Sequence, residues 1–191
     1  LKGLTVDARS TWYQNRHSSW VEQLDMRYST KRWTIYDNIK YQDDKDLTWK
    51  DLTQIVRADS LWCENSVEHE YSKQRKLTNI FGADYKISEG NFIGGRYSLT
   101  YNLRNNMFLE STNSITANDS YYDLLATTGK EYGHKRPQHI FNVFYSGLLS
   151  GYTLHADVDY ITSTVAKDNV YAELSESKED RMIDALSHVK N

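Results

Sequence analysis

The amino-acid sequence predicts an all-β protein: an antiparallel up-and-down meander of hairpins, part of a β-barrel, formed by a single segment 1–191. Three observations predict this fold. Apolar and polar residues alternate with period two, which is typical of strands with two different faces. Aromatic residues bracket short turns at intervals along the chain. The chain also has 15 Tyr and 5 Trp against one Pro, and Tyr and Trp favour pleated, half-buried surfaces.

The alternating stretches predict seven strands, each with one apolar and one polar face. They lie at about residues 4–12, 20–28, 33–41, 77–85, 93–101, 139–145 and 152–160. The last strand is the clearest, because its apolar face carries Tyr152, Leu154, Ala156, Val158 and Tyr160. Asp37 and Asn79 are polar interruptions on otherwise apolar faces.

The connections between these strands differ in length. Short turns are predicted around Thr30–Lys31, Glu89–Gly90 and Leu149–Ser150, where Ser, Thr, Asn and Gly are concentrated. Long excursions, 43–73 and 102–136, are predicted as loops at the other end. Short turns at one end and long loops at the other are typical of a transmembrane barrel.

The spacing of the aromatic residues fits a membrane. Tyr152 and Tyr160 are eight residue steps apart, about 26 Å at roughly 3.3 Å per residue. A tilt of about 40° reduces this to about 20 Å, close to the apolar band of about 25 Å in such barrels. In a soluble β-domain the same face would be an inward-facing core, but a small barrel has little interior room for so many rings. In a membrane barrel, the polar face, which carries Arg96, His155, Asp157 and Asp159, would line the lumen.

Several classes of function are disfavoured by composition and motifs. The net charge of -3 gives no electrostatic footprint for nucleic acid. The single Cys63 excludes an intrachain disulfide and a thiolate cluster for zinc. His155, Asp157 and Asp159 share a strand face and could hold a metal ion, but a hydrated lumen face is the favoured interpretation. We identify no catalytic residues, metal site or cofactor motif, so the chain is predicted not to be an enzyme.

Two segments, Lys76–Leu99 (KLTNIFGADYKISEGNFIGGRYSL) and Ser150–Tyr160 (SGYTLHADVDY), resemble the strand–turn–strand units of TonB-dependent-receptor-like outer-membrane proteins. The resemblance extends from about Thr5 to about Lys190. It implies a barrel of about 22 strands with a plugged lumen, which imports nutrients. The sequence carries neither a plug domain nor an energy-coupling box, and Asn191 is not the terminal aromatic residue of a complete barrel. No functional residue of the family is therefore carried over.

The predicted function is a wall segment of an outer-membrane receptor or transporter. The chain starts at Leu1, so we expect a signal peptide outside it, in a larger precursor. Its expected partners are outer-membrane lipid, the rest of the parent barrel and an unknown small ligand, with no nucleic acid. The candidate ligand contacts in the long loops are Trp49, Trp62, Tyr121 and Tyr122. The alternative is a soluble antiparallel β-domain that binds glycans or a protein partner through exposed Trp and Tyr.

The ends of the predicted sheet raise two further expectations. The tail 175–191 is predicted either as an amphipathic helix capped at Ser177 or as a loop leading to a next strand. The first and last strands would expose unpaired backbone groups. We therefore expect self-association, with Tyr97, Leu99, Leu154 and Val158 buried by it or by the sheet curling over.

Overall fold

The computed structural model describes residues 2–190 and confirms the all-β antiparallel fold. Leu1 and Asn191, the ends of the predicted segment, lie outside the described residues. Within 2–190, nine strands form one sheet. They are β1 (Gly3–Gln14), β2 (Ser18–Ser29), β3 (Trp33–Arg57), β4 (Leu61–Ser88), β5 (Asn91–Ala117), β6 (Ser120–Gly133), β7 (Pro137–Leu149), β8 (Tyr152–Ser175) and β9 (Arg181–Lys190).

The topology is a simple meander, because β6 and β7 lie end to end between the same two neighbours. The upper part of β5 pairs with β6 and its lower part with β7. The other neighbour, β8, also pairs with both. The break at residues 134–136 precedes Pro137, which has no backbone N–H to donate. His134 keeps one ladder contact across the break, since its backbone N–H donates to the Ala166 carbonyl at 2.8 Å.

The seven predicted strands and the short turns are confirmed. Each predicted strand falls inside one of β1–β5, β7 and β8. The short turns leave residues 30–32, 89–90 and 150–151 between strands, within one residue of the predicted positions. Gly90 has a φ of 76° and Ser150–Gly151 have φ values of 49° and 87°. In the Ser150–Gly151 turn φ is positive at both central residues, the conformation of a type I′ hairpin turn, which matches the twist of the strands on either side.

The predicted long loops are wrong, because both excursions are extensions of the strands. The ladder between β3 and β4 continues without a register shift from Trp33↔Tyr85 up to Arg57↔Leu61. The second excursion folds in the same way as the upper parts of β5 and β6, and its turn is only two residues long, at Asn118–Asp119. These two excursions lack a continuous apolar face, and for that reason the sequence predicted them as loops. The strands of a hairpin are joined by backbone hydrogen bonds, however, and these do not require an apolar face.

The predicted C-terminal helix is also wrong. Residues 181–190 form β9, which pairs with β8 from Glu173↔Arg181 to Thr164↔Lys190. The apolar spacing that suggested a helix puts Met182 and Leu186 on one face of the strand and Ile183, Ala185 and Val189 on the other. Pairing with β8 nevertheless satisfies one side of the backbone, which decides for the strand. The described residues contain no helix long and apolar enough to cross a membrane.

The sheet is open and has almost no apolar interior. Ala166 is the one buried apolar residue among those described. Leu154 and Val158 are 45% and 69% exposed, whereas Tyr97 and Leu99 are half-buried within their own sheet. Curling over is therefore wrong for Leu154 and Val158, and burial by self-association stays a prediction. Apolar burial is the main stabilising contribution to folding. The exposed apolar side chains of this sheet therefore need cover from outside the described residues.

Candidate functional site: two faces of one sheet

One face of the sheet carries a continuous apolar surface, because the register aligns the apolar residues of seven strands in rows across the sheet. We call it the apolar band; it extends from the row of Trp33 to the row of Tyr41. Two of its rows run Leu4, Tyr28, Ile35, Ala83, Gly95, Val143 and Val158, and Val6, Met26, Asp37, Phe81, Tyr97, Phe141 and Tyr160. Most of these side chains are exposed, as Val143 at 58% and Phe81 at 48% illustrate.

The height of the band is close to the apolar thickness expected for a barrel in a membrane. From Trp33 to Tyr41 there are eight residue steps along β3, which is about 26 Å along the strand at roughly 3.3 Å per residue and about 20 Å across a membrane at a tilt of about 40°. Aromatic residues lie at its lower edge, where Trp33 stacks on Tyr85 with ring centroids 4.6 Å apart. At the upper edge Tyr41 and Tyr101 both flank Leu77. Monomeric soluble proteins rarely leave an apolar surface of this size uncovered.

The polar residues inside the band hydrogen-bond to neighbours on the same face. Asn79 donates to the Asp37 carboxylate at 2.5 Å, so the two interruptions seen in the sequence satisfy each other across adjacent strands. The hydroxyl of Tyr97 lies 2.8 Å from Nδ1 of His139. Internal partners reduce the cost of taking these groups out of water. The band therefore stays compatible with an apolar environment.

The opposite face, which we call the polar face, carries the four residues predicted to line a lumen. Arg96, Asn142 and Asp159 occupy one row across β5, β7 and β8. The buried Asn142 donates through Nδ2 to Asp159 at 2.8 Å and also to Asp157. His155 lies further down β8, opposite Ser146. The role of Asn142 was not predictable from the sequence. The residues around Asp157 and Asp159 in the sequence do not show which side chain of the neighbouring strand will contact their carboxylates.

Aromatic rings on the polar face cover glycines on neighbouring strands. The ring of Tyr36 lies over Gly82, where a Cβ atom would come within 2.3 Å of Tyr36 Cζ. The ring of Phe144 lies over Gly94 in the same way, at 2.4 Å, with the Asp84 carboxylate on the other side at 2.6 Å. A ring over a strand glycine fills the gap that the missing side chain leaves. These contacts fix the pairing of central strands on a face that has few other apolar contacts.

Three of the four predicted ligand-contact residues, Trp62, Tyr121 and Tyr122, lie at the upper end of the sheet, where Trp62 and Tyr122 contact each other. The rings of Trp62 and Tyr122 are 4.7 Å apart and nearly perpendicular, and Lys178 Nζ lies 5.2 Å from the Tyr122 ring. Tyr121 donates its hydroxyl hydrogen bond to Glu176, which raises the pKa of Tyr121 to about 12. These contacts join the first residues of β4 and β6 to the β8–β9 connection.

The fourth predicted contact, Trp49, lies apart from this group. It sits on β3 and stacks on His69 of β4 with ring centroids 4.7 Å apart. The guanidinium of Arg16, in the β1–β2 turn, lies 4.3 Å from the Trp49 ring centroid. Trp49 remains 58% exposed. The sequence placed all four residues on loops, whereas they lie on paired strands; Trp49, Tyr121 and Tyr122 are exposed and Trp62 is half-buried.

The most buried polar side chain near the upper tips is Asp123, which is 1% exposed. Its carboxylate accepts hydrogen bonds from Ser175 Oγ at 2.7 Å and from the backbone N–H groups of Leu124 and Ser177 at 2.9 and 3.1 Å. The hydrogen bond from Ser175, followed by those from Ser177, lowers the pKa of Asp123 below its ordinary value of 3.8. Asp123 thereby holds the β8–β9 connection against β6.

This arrangement predicts an acid-sensitive tip. A carboxyl group with a lowered pKa stabilises the fold above its ordinary value of 3.8, and the contribution is lost as pH falls through the lower folded value. We expect the amide of Ser177 to lose hydrogen-exchange protection as the pH falls through that range. The matched control is Asp123→Asn, which keeps the shape and removes the charge. Its Ser177 amide should be weakly protected at every pH, and an unchanged acid response in this variant would contradict the assignment.

Among the described residues, no group of three His, Cys, Asp or Glu side chains is arranged to hold a metal ion. His155, Asp157 and Asp159 lie on a strand edge, where Asn142 already occupies oxygens of both carboxylates. Cys63, predicted in a loop, lies on β4 opposite Ile55, and it has no disulfide partner.

No protein-family model matches the chain, and no curated protein of known function matches its sequence. The resemblance to TonB-dependent-receptor-like barrels therefore stays a prediction.

Proposed function

We propose that this chain is a wall segment of an outer-membrane β-barrel receptor or transporter. The apolar band faces lipid, the polar face lines an aqueous lumen, and the extended strand tips with Trp62, Tyr121 and Tyr122 stand outside the membrane, where they contact a small ligand. The observation that carries the proposal is the apolar band itself: seven adjacent strands with aligned, largely exposed apolar residues that extend about 26 Å along each strand.

Two features of the structure support the assignment of the apolar band to lipid and of the polar face to the lumen. The polar face carries charged and amide groups in the rows that back the band, as Arg96 and Asp159 show, and it could not form a dry core without taking these charges out of water. Lipid also supplies the apolar cover that the described residues lack, because an antiparallel sheet with one apolar face needs cover on that face only. The same residues would need a second sheet or a tight closure in a soluble domain.

The location of the protein tests the proposal first. The protein as cells produce it should fractionate with the outer membrane and migrate differently on gels before and after heating, as folded barrels do. Recovery in a soluble fraction without detergent would overturn the membrane function and favour the alternative, a soluble β-domain that binds glycans or a protein.

Site-directed spin labels on β5 test the two faces directly. Cysteines placed singly at Leu99 and Thr100, in a Cys63→Ser background, label the apolar band and the polar face at the same height. In membranes the label at Leu99 should be relaxed by dissolved oxygen, and the label at Thr100 by a water-soluble nickel chelate. If neither oxygen nor the nickel chelate relaxes the label at Leu99, this position lies in a dry protein core, and the lipid-facing assignment is refuted.

The ligand-contact part of the proposal has its own test. Alanine at Trp62 or Tyr121 should reduce ligand uptake by the intact protein, whereas Ile183, exposed on β9 away from this cluster, provides the control position. Unchanged uptake in both aromatic variants would remove the contact role and leave the wall role standing.

A further inference from the structure

Four cations lie directly above the upper edge of the apolar band, on the same face of the sheet. We call them the basic cluster; they are Lys45 on β3, Lys73 and Arg75 on β4, and Arg104 on β5. The register places Lys45 directly opposite Lys73 and Arg75 directly opposite Arg104. At this height β4 is paired on both sides, with β3 and with β5. The pairing of three neighbouring strands therefore brings the four cations together.

The cations of the cluster repel one another. Like charges directly opposite each other destabilise a cross-strand pair, and here two such pairs lie in consecutive rows of one face. The pKa of the Lys73 ammonium group is lowered below its ordinary value of 10.5, first by burial and then by the other three cations of the cluster. The fold therefore keeps these charges close together although their mutual repulsion opposes it.

One carboxylate compensates part of this charge. The buried Asp43 accepts a hydrogen bond from Arg75 Nε at 2.7 Å. Because Nε is the donor in this contact, the terminal nitrogens of the guanidinium group remain available to a further acceptor. Within residues 2–190, the other three cations of the cluster form no ion pair. The cluster thus keeps a net positive charge that the described part of the chain does not neutralise.

The height of the cluster above the apolar band corresponds to the headgroup layer of a membrane. On β4, Arg75 lies two residue steps beyond Leu77, and Lys73 lies four steps beyond it. At about 3.3 Å per residue and a tilt of about 40°, these positions are about 5 and 10 Å above the edge of the band. The two headgroup layers together add about 10–15 Å to a hydrocarbon core of about 30 Å. Arg75 therefore lies in this layer, and the long side chain of Lys73 can reach it from the row above.

The phosphate group of a lipid matches this arrangement of donors. Its negative charge cancels the repulsion between the cations, and its oxygens accept hydrogen bonds from several of them at once. Guanidinium groups bind phosphate through two parallel N–H donors, and ammonium groups bind it as point charges. The row directly below the cluster, which contains Leu77 and Tyr101, belongs to the apolar band. A lipid held by its phosphate at the cluster therefore lays its acyl chains along the band.

We propose that the basic cluster binds the phosphate group of an anionic membrane lipid, in the leaflet on the side of the extended strand tips. This inference rests on the proposed function, because it requires the apolar band to face lipid. The bound phosphate joins β3, β4 and β5 at the height of the headgroups, since the cations that repel one another share one anion.

Lipid binding by two double variants tests the site. Lys73→Gln/Arg104→Gln removes two cations of the cluster, whereas the control Lys40→Gln/Lys76→Gln removes two cations from the polar face of β3 and β4. Native mass spectrometry of the intact protein, released from detergent micelles and titrated with phosphatidic acid, measures the affinity. The cluster variant should bind roughly tenfold more weakly than the original chain, because Lys and Arg side chains attract anionic lipids, and the control should bind normally. Equal affinities of the two double variants would overturn the proposal.

Stability in two kinds of vesicle separates lipid binding from a purely structural role. In vesicles of a neutral galactolipid, which has no phosphate, Lys73→Gln removes repulsion and should raise the urea midpoint of unfolding. When phosphatidic acid is added to the vesicles, the same variant lacks a contact to the phosphate, so its midpoint should fall below that of the original chain. A variant that gains as much stability from phosphatidic acid as the original chain would overturn the proposal.

Two further measurements identify the source of the phosphate and separate this inference from the proposed function. Excess inorganic phosphate should not displace phosphatidic acid, because the acyl chains on the apolar band contribute to binding. Displacement would identify a site for soluble phosphate and overturn the lipid assignment. Oxygen relaxation of the label at Leu99, measured in the same vesicles, reports the proposed function independently. A relaxed label together with unchanged lipid binding by the cluster variant would overturn this inference alone, whereas an unrelaxed label would overturn the barrel wall as well.

Discussion

The proposed lipid-facing band predicts that replacing Phe81 by arginine destabilises the protein in a bilayer by about 2–4 kcal/mol, the cost of a cationic side chain on a lipid face at the bilayer midplane. Phe81 lies in the middle row of the apolar band and is 48% exposed. Its strand, β4, is paired on both sides, with β3 and β5. The backbone ladder therefore stays intact. Asp37 lies directly opposite Phe81 and would pair with the introduced arginine, so this variant and its control are made in an Asp37→Asn background. There the measured change in the free energy of unfolding reports the environment of the side chain.

The adjacent residue provides a matched control. Ile80 is also apolar and lies on the same strand at the same height, but on the polar face, between Asn38 and Ser98. Ile80→Arg would put its charge into water, so we expect a cost near zero. Urea unfolding from lipid vesicles measures both variants. A cost for Ile80→Arg equal to or above that for Phe81→Arg would reverse the assignment of the two faces.

The sequence predicted the lower half of the sheet well. There the alternation of apolar and polar residues along each strand also determines which side chains share a face in the paired sheet. In β8 every second residue from Tyr152 to Tyr160 is apolar, and the structure places all five on one face. Where one face must avoid water, a slip of one residue exposes the whole apolar set. The pattern along each strand is therefore sufficient to predict both the strand and its face.

The upper half was not predictable in this way, because its strands mix polar and apolar residues on both faces, as the exposed Trp49, Leu52 and Val56 of β3 show. Lys50 lies between Glu68 and Glu70, with Nζ–Oε distances of 2.8 and 3.1 Å. On the same face Ser66 donates to Asn113 at 2.6 Å. Such cross-strand contacts join residues 18 to 47 positions apart. A window of local sequence contains one partner only, so charged and amide residues there resemble those of a solvated loop.

The polar interruptions of the apolar band show the same limit. Asp37 and Asn79 were both visible as exceptions to the alternation, but their mutual hydrogen bond depends on the β3–β4 register. The pairing turns two separate defects into one satisfied polar pair. A sequence alone thus identifies the strands of such a sheet, whereas its internal polar contacts follow only once the strands are aligned.

Two neighbouring glycines on β5 distinguish the packing of the two faces, and Gly94 has the larger expected effect. A Cβ at Gly94 would lie 2.4 Å from the Phe144 ring and 2.6 Å from the Asp84 carboxylate, so strands on both sides resist it. At Gly95, on the apolar band, the nearest atom would be the Asn142 carbonyl oxygen at 3.5 Å, an ordinary contact. We expect Gly94→Ala to destabilise the protein by about 1–3 kcal/mol, as overpacking does.

Gly95→Ala should be neutral or stabilise the protein by up to about 1 kcal/mol, since it reduces the conformational entropy of the unfolded chain without a clash. Urea unfolding in detergent micelles compares the two variants under identical conditions. If the ring of Phe144 causes the clash, Gly94→Ala combined with Phe144→Ala will cost less than the sum of the single changes. Equal costs at Gly94 and Gly95 would mean that the ring does not cover the glycine. A strictly additive double variant would mean that the clash comes from Asp84 alone.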